Sequence, residues 1–218
     1  MEVNAVVNRG LDLAADREFW RGVLLNGGFT AIPRWSVDPA TGTAEHEAKI
    51  PDDLIATLRR LAAELEITAT SVLLAAHAKV LVALSGERDV ATGYVAQQGG
   101  RPLLCRLTTE PDSWRSLLLT TRQAESELLA HANFPVDDLR RELGLTEAFF
   151  ETVLDPTGFD PTGLDPTGLN PPGLEASGLD PTHYHGGPSE DTVLWVGTSG
   201  EDGQLTLRLR YRTDVLDA

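Results

Sequence analysis

The chain has 218 residues, enough for one large domain or two small ones, and 41% of them are hydrophobic, so it can bury a core. The single cysteine, Cys105, excludes an intramolecular disulfide and any zinc site built on two thiolates, and it fits a reducing cytoplasm. The formal net charge of −15 argues against nucleic acid and anionic lipid as partners.

The first apolar stripe, Phe19, Trp20, Val23 and Leu24, has helical spacing and predicts a helix from Ala15 to Asn26, stopped by Gly27 and Gly28. After a loop with Pro33 and Pro39, Thr43 to Ile50 alternates. Ala44, His46, Ala48 and Ile50 fall on one face and Glu45, Glu47 and Lys49 on the other, the pattern of a half-buried strand. Pro51 opens a second helix with Asp52 and Asp53 in its first turn, where the helix dipole favours negative charge. Its core stripe reads Leu54, Leu58, Leu61 and Leu65. A third helix, about Ser71 to Leu84, is apolar on nearly every face, which predicts a buried central element capped by Gly86. With His77 and Lys79 inside it, this run is too short and too polar to span a bilayer. The amino terminus has no basic region followed by an apolar run, so no signal peptide is expected.

Asp89 to Gln97 and Leu103 to Leu107 read as strands. Pro111 opens a fourth helix with Trp114, Leu117, Leu118, Thr121 and Leu128 on one stripe. A fifth spans Val136 to Leu143 and stops at Gly144. Phe149 to Leu154 is a short strand, and Thr192 to Thr198 with Gln204 to Thr213 predicts a hairpin around Gly200 to Gly203. In the hairpin's second strand Leu205, Leu207, Leu209 and Tyr211 share a face opposite Arg208, Arg210 and Arg212. That basic row either pairs with the acidic segment or blunts a sheet edge; the second is the preferred reading. The mixture of elements predicts an α/β fold, helices packed on a mixed β-sheet.

A five-residue repeat fills 155–184: Asp155 to Phe159 (DPTGF), then DPTGL twice, NPPGL, EASGL and DPTHY. Each unit is a turn signal: Asp accepts from the backbone two residues on, Pro presets φ, and Gly permits positive φ. A stacked β-helix is the competing reading, but a proline in every rung removes a ladder donor, so a turn-rich insertion is favoured. From Glu142 to Leu207 there are 12 acids and no Lys or Arg, which leaves 21 acids against 18 bases elsewhere. The acidity is therefore local.

Several segments, in order, resemble the condensation-domain family of nonribosomal peptide synthetases. Arg17 to Leu24 (REFWRGVL) resembles the helix opening that family's second lobe, and Ile50 to Leu54 (IPDDL) the stretch after it. Thr70 to Gly86 (TSVLLAAHAKVLVALSG) is similar to the central helix, and Asp89 to Ala96 (DVATGYVA) to the following strand, with Arg101 at the place of a later Gly-Arg. Ala130 to Leu139 (AHANFPVDDL) and Leu205 to Asp217 (LTLRLRYRTDVLD) match the closing motifs. The resemblance implies the carboxyl-terminal lobe of a chloramphenicol-acetyltransferase-like fold over residues 1–218. The family's His-His-x-x-x-Asp-Gly motif belongs to the other lobe, and no two of His46, His77, His131, His183 and His185 are adjacent. The stretch Gln97 to Leu107 is also shorter than the family's Asn-Thr segment that covers its tunnel.

These departures lead to the expectation of a truncated, non-catalytic, cytoplasmic module, cut from a longer polypeptide, with no catalytic, cofactor or metal residues of its own. Its expected role is a platform for an adenylation domain and/or a peptidyl carrier domain, whose phosphopantetheine would be the only cofactor nearby. Trp20, Arg101, Phe159, Leu164, Leu169 and Tyr184 are the candidate partner contacts. The alternatives are half of a split condensation or acyltransferase enzyme, and a ligand-binding module built on the repeat. His77 reads as a core histidine with a satisfied nitrogen, His131 as a partner of a helix carboxyl terminus, and Cys105 as a buried inert thiol. His183 and His185 beside Asp180, Glu190 and Asp191 form a weak metal pattern, read as solvated loop. The Asp-Pro-Thr-Gly units place one carboxylate per five residues, too few for a calcium loop of six to eight oxygens.

Overall fold

The computed structural model describes residues 2–37, 41–110, 113–159, 192–201 and 204–216. The elements run α1 (Glu2–Leu25), β1 (Thr43–Lys49), α2 (Asp52–Leu65), α3 (Ala69–Ser85), β2 (Asp89–Tyr94), β3 (Leu103–Thr108), α4 (Trp114–Ala130), α5 (Val136–Glu142), β4 (Thr152–Asp155), β5 (Leu194–Glu201) and β6 (Gln204–Arg212). The strands form one six-stranded sheet in the order β1-β6-β5-β4-β2-β3. The β2/β4 and β4/β5 pairs are parallel and the other three antiparallel, so the sheet is mixed as expected.

Strand alternation assigns the two faces. Val90, Thr92 and Tyr94 of β2 and Cys105 and Leu107 of β3 share the face under α3 and α4, since His77 of α3 bonds Thr92 and Glu125 of α4 bonds Tyr94. Ala91, Gly93, Leu104 and Arg106 point the other way, toward α1, whose last turn Arg106 reaches. The main core joins both layers: Trp20 and Leu24 of α1, Leu74, Ala78 and Leu81 of α3, Leu128 of α4 and Leu139 of α5 close on β2 and β3.

Caps explain several helix bounds. Thr68 accepts from the Ser71 amide and Ser113 from the Ser116 amide, each satisfying an orphan donor at a helix start. α3 ends on Gly86 at φ 76°, as expected. α2 ends on a non-glycine in the same region, Glu66 at φ 54°.

Some expectations fail for identifiable reasons. α1 begins at Glu2 rather than Ala15, because a helix continues past its apolar stripe where nothing breaks it. β1 is exposed along nearly its whole length rather than half-buried, since it is an edge strand whose outer half no described helix covers. Leu54 is 47% exposed and Ile55 takes its place in the core, while Leu58, Leu61 and Leu65 pack beside Ala62 as the stripe predicts. Val80 is 53% exposed, so α3 is buried on one side and not all round. Trp114, 60% exposed, precedes the packed part of α4. β6 lies inside the sheet between β1 and β5, so its arginines blunt no edge.

Of the repeat, only Asp155 to Phe159 lies within the described residues. This unit is the predicted turn: Asp155 Oδ1 accepts from the Thr157 amide at 3.2 Å and from its hydroxyl at 2.6 Å, and the Phe159 amide donates to Pro156 O at 2.9 Å. A Cβ on Gly158 would stand 2.0 Å from Thr198 O, so only glycine lets this turn lie on β5. Residues 160–184 fall outside the described residues.

Candidate functional site

The chemistry-bearing side chains between the sheet and α3/α4 form two polar clusters. In one, His77 Nε2 lies 3.0 Å from Thr92 Oγ1, whose own proton goes to Thr152 O at 3.0 Å. The imidazole is therefore the donor at Nε2. Burial, with no acid nearby, pushes His77 down to about 4 from 6.5. It is neutral at pH 7 and sealed from any substrate.

In the other, Glu125 of α4 is 1% exposed and serves four hydroxyls. Oε1 accepts from Tyr94 at 2.5 Å and from Thr70 at 2.8 Å. Oε2 accepts from Thr68 at 3.0 Å and from Ser71. The cluster binds the start of α3 to α4 and β2. Burial, and then the Glu125 charge, hold the Tyr94 phenol well above its usual range. Burial also pushes the Cys105 thiol up to about 12, leaving it unreactive as expected.

On the opposite side of the sheet a charged ladder crosses β1 and β6. Arg208 Nε reaches Glu47 at 2.6 Å and Glu45 at 3.0 Å, and Arg210 Nε reaches Glu45 at 2.6 Å. Among the described residues, Arg208 and Arg210 pair with the glutamates of β1. The ladder holds the Glu45 carboxyl below its usual range, chiefly through the Arg210 hydrogen bond. It borders a shallow groove of about 170 Å³ lined by Asp155, Trp195, Gly197, Ser199, Arg208 and Arg210 among others. Nearby, Glu151, 3% exposed, takes both Nη of Arg34 at 2.9 and 2.8 Å together with the Ile32 amide, which fixes the segment after α1 to β4.

The expected partner contacts separate. Trp20 is fully buried, with its indole N–H on His131 O at 2.8 Å and its ring edge-on to Phe19, so it offers no surface. Phe159, 2% exposed, is likewise core, packed with Ile55 and Leu205. Arg101 is on the surface, paired with Asp137 at 2.7 Å. Leu164, Leu169, Tyr184, His183 and His185 lie outside the described residues. His131 occupies the C-cap position of α4, with its ring stacked on Phe19 at 4.2 Å and bonded through Nδ1 to Asp16 at 2.6 Å. Among the described residues no cluster of three His, Cys, Asp or Glu is arranged to hold a metal ion. No single helix among them is long and apolar enough to cross a membrane. The sequence reading missed Glu125, although its spacing from Thr121 and Leu128 puts it on the buried stripe of α4.

No family model matches the chain. It is 30% identical over 157 residues to the AMB antimetabolite synthetase AmbE of Pseudomonas aeruginosa, an alignment covering 62% of this chain and 7% of that protein. Its fold is similar to the condensation domain of the Monacolin K polyketide synthase MokA, with a TM-score of 0.68 and 14% identity over 98% of this chain and 55% of the other. The first condensation domain of the calcium-dependent antibiotic synthetase superposes with a TM-score of 0.64 and 20% identity over 95% of this chain and 46% of its own. The chain thus spans about half the length of the solved domains it matches, and it carries the condensation-domain fold found in nonribosomal peptide synthetases.

Proposed function

We propose that this chain is the carboxyl-terminal lobe of a condensation-like region and serves a nonribosomal peptide synthetase as a non-catalytic, cytoplasmic platform. It seats an adenylation domain and/or a peptidyl carrier domain. The observation that carries this reading is the disposition of the described histidines. His77 is sealed and neutral, His131 is pinned between Asp16 and Phe19, and His46 stands on an exposed strand with no adjacent histidine. A base for amide-bond formation must sit within hydrogen-bond reach of the attacking amine. The half-length match to complete condensation domains supports a lobe rather than a whole.

That same match favours a second reading, in which a separately supplied first lobe brings the histidine pair and the two halves condense phosphopantetheine-bound substrates. One experiment separates them. The chain is mixed with the neighbouring adenylation and carrier domains, with and without a first lobe, and complex formation and acyl or peptide transfer are both measured. Binding without transfer in either mixture supports the platform. Transfer that appears only with the first lobe supports the split enzyme. Transfer by the chain without that lobe sinks both.

A further inference from the structure

We infer that the cleft between the end of α1 and the loop after α5 binds a small hydrophobic monocarboxylate, with Arg106 as its counter-ion. This site lies on the α1 side of the sheet and does not depend on the platform reading. The cleft measures about 410 Å³, and Leu24, Phe29, Leu145 and Phe149 wall it. A cavity of that size, more apolar than polar and with Arg106 and Glu147 as its charged lining, has the ordinary form of a small-molecule site.

Arg106 reaches the cleft from β3. Its Nε donates to Val23 O at 2.8 Å and Nη1 to Gly28 O at 2.6 Å. A guanidinium carries five N–H donors, so three remain, one on Nη1 and two on Nη2, enough for the two bonds a carboxylate accepts. No carboxylate among the described residues is ion-paired with it. Burial lowers its proton affinity, and no acid offsets this. A half-buried cation without a counter-ion is costly, and an anion in the cleft relieves that cost. Gly27, at φ 107°, keeps the guanidinium in place, since a Cβ there would stand 2.8 Å from Nη1. The rim sets the ligand's charge: Glu147 also lines the cleft, which disfavours phosphate and other multiply charged anions. The apolar walls set its body as an aryl or alkyl group.

The test titrates 3-phenylpropionate into the isotope-labelled full chain and follows backbone amides by NMR, with neutral 3-phenylpropionamide as the control. Saturable shifts at Gly27, Gly28, Gly144 and Phe149 are expected, with the amide binding about tenfold more weakly for loss of one charge-assisted pair. Arg106→Met should abolish the preference for the acid. Because that change also frees two backbone carbonyls, Thr146→Trp fills the cleft mouth with Arg106 intact and should remove binding at an unchanged Tm. Equal affinity for acid and amide, shifts that map elsewhere, no saturable shift, or binding that survives Thr146→Trp each overturn the assignment.

Discussion

Replacing Glu125 by Leu, close in volume, should lower the stability of the fold by about 3 kcal/mol. The magnitude follows from the four hydroxyls that the carboxylate serves. A hydrogen bond to a charged group contributes about 1.5–3 kcal/mol. The four do not add, because the donors also bond one another: Thr68 Oγ1 lies 2.6 Å from Ser71 Oγ and 2.9 Å from Thr70 Oγ1. Thr68 and Thr70 are half-exposed and can turn toward water, and Ser71 can give its proton to Thr68 Oγ1, whereas the buried Tyr94 hydroxyl would be left without its acceptor. One stranded buried hydroxyl at about 1–3 kcal/mol, with about 1 kcal/mol more as Ser71 exchanges a charged acceptor for a neutral one, sets the expected loss. Glu125→Gln should cost less, about 1–2 kcal/mol, because its amide oxygen keeps one hydroxyl pair and hydroxyls facing its NH2 can rotate to accept. Urea unfolding, extrapolated to zero denaturant, measures both. Against a typical stability of about 5–15 kcal/mol the Leu variant should be visibly marginal. A Glu125→Leu protein within 1 kcal/mol of the parent would refute the reasoning.

Stability should also fall with pH through His77. Its folded value, about 4, lies below the unfolded 6.5. The unfolded chain then binds more protons between these limits, and stability is lost as pH drops. From pH 7 to 5 the loss attributable to His77 is about 2 kcal/mol, seen as the part of the urea-midpoint shift that disappears in His77→Gln. Glu66 holds a left-handed conformation, so Glu66→Gly should raise stability by about 0.5–1 kcal/mol; an unchanged thermal midpoint would count against strain at this cap. The Cys105 thiol should resist a thiol reagent at pH 8 in native protein and react promptly in urea. Prompt native labelling would mean that β3 opens readily.

The sequence makes the helices legible where an apolar stripe meets a capping residue, as at Ser113 with Leu117 and at Gly86 after Leu84. The β5/β6 hairpin is legible because two alternating runs flank a short glycine-bearing turn. The order β1-β6-β5-β4-β2-β3 is not, since β4 pairs with two strands distant in sequence and neither pairing leaves a local signal. Burial of an edge strand is equally non-local. Ala44, His46 and Ala48 alternate like a half-buried strand, yet only a neighbouring layer could have covered them, and at this end of the sheet none among the described residues does. Trp20 was misplaced for a different reason. A tryptophan on an apolar helical stripe is core by spacing alone, although its large amphipathic ring also suits a partner contact.

Glu125 is the sharpest of these cases. Its position was legible and its meaning was not. Leu117, Thr121, Glu125 and Leu128 recur at helical spacing, so a carboxylate on that stripe had to be buried and paired, since burying one bare is prohibitive. Its partners come from the turn before α3, the first turn of α3, and β2, and only the folded chain brings those together. The same logic bears on function. In the α3/α4 layer the groups able to move protons, His77, Glu125 and Tyr94, face inward and spend their hydrogen-bonding capacity on one another and on threonine and serine hydroxyls. A catalytic base has to keep a proton affinity near the working pH; His77, pushed down to about 4 by burial, does not. Outward, the described residues present the Arg208/Glu45 ladder, the Arg101/Asp137 pair and the cleft beside Arg106.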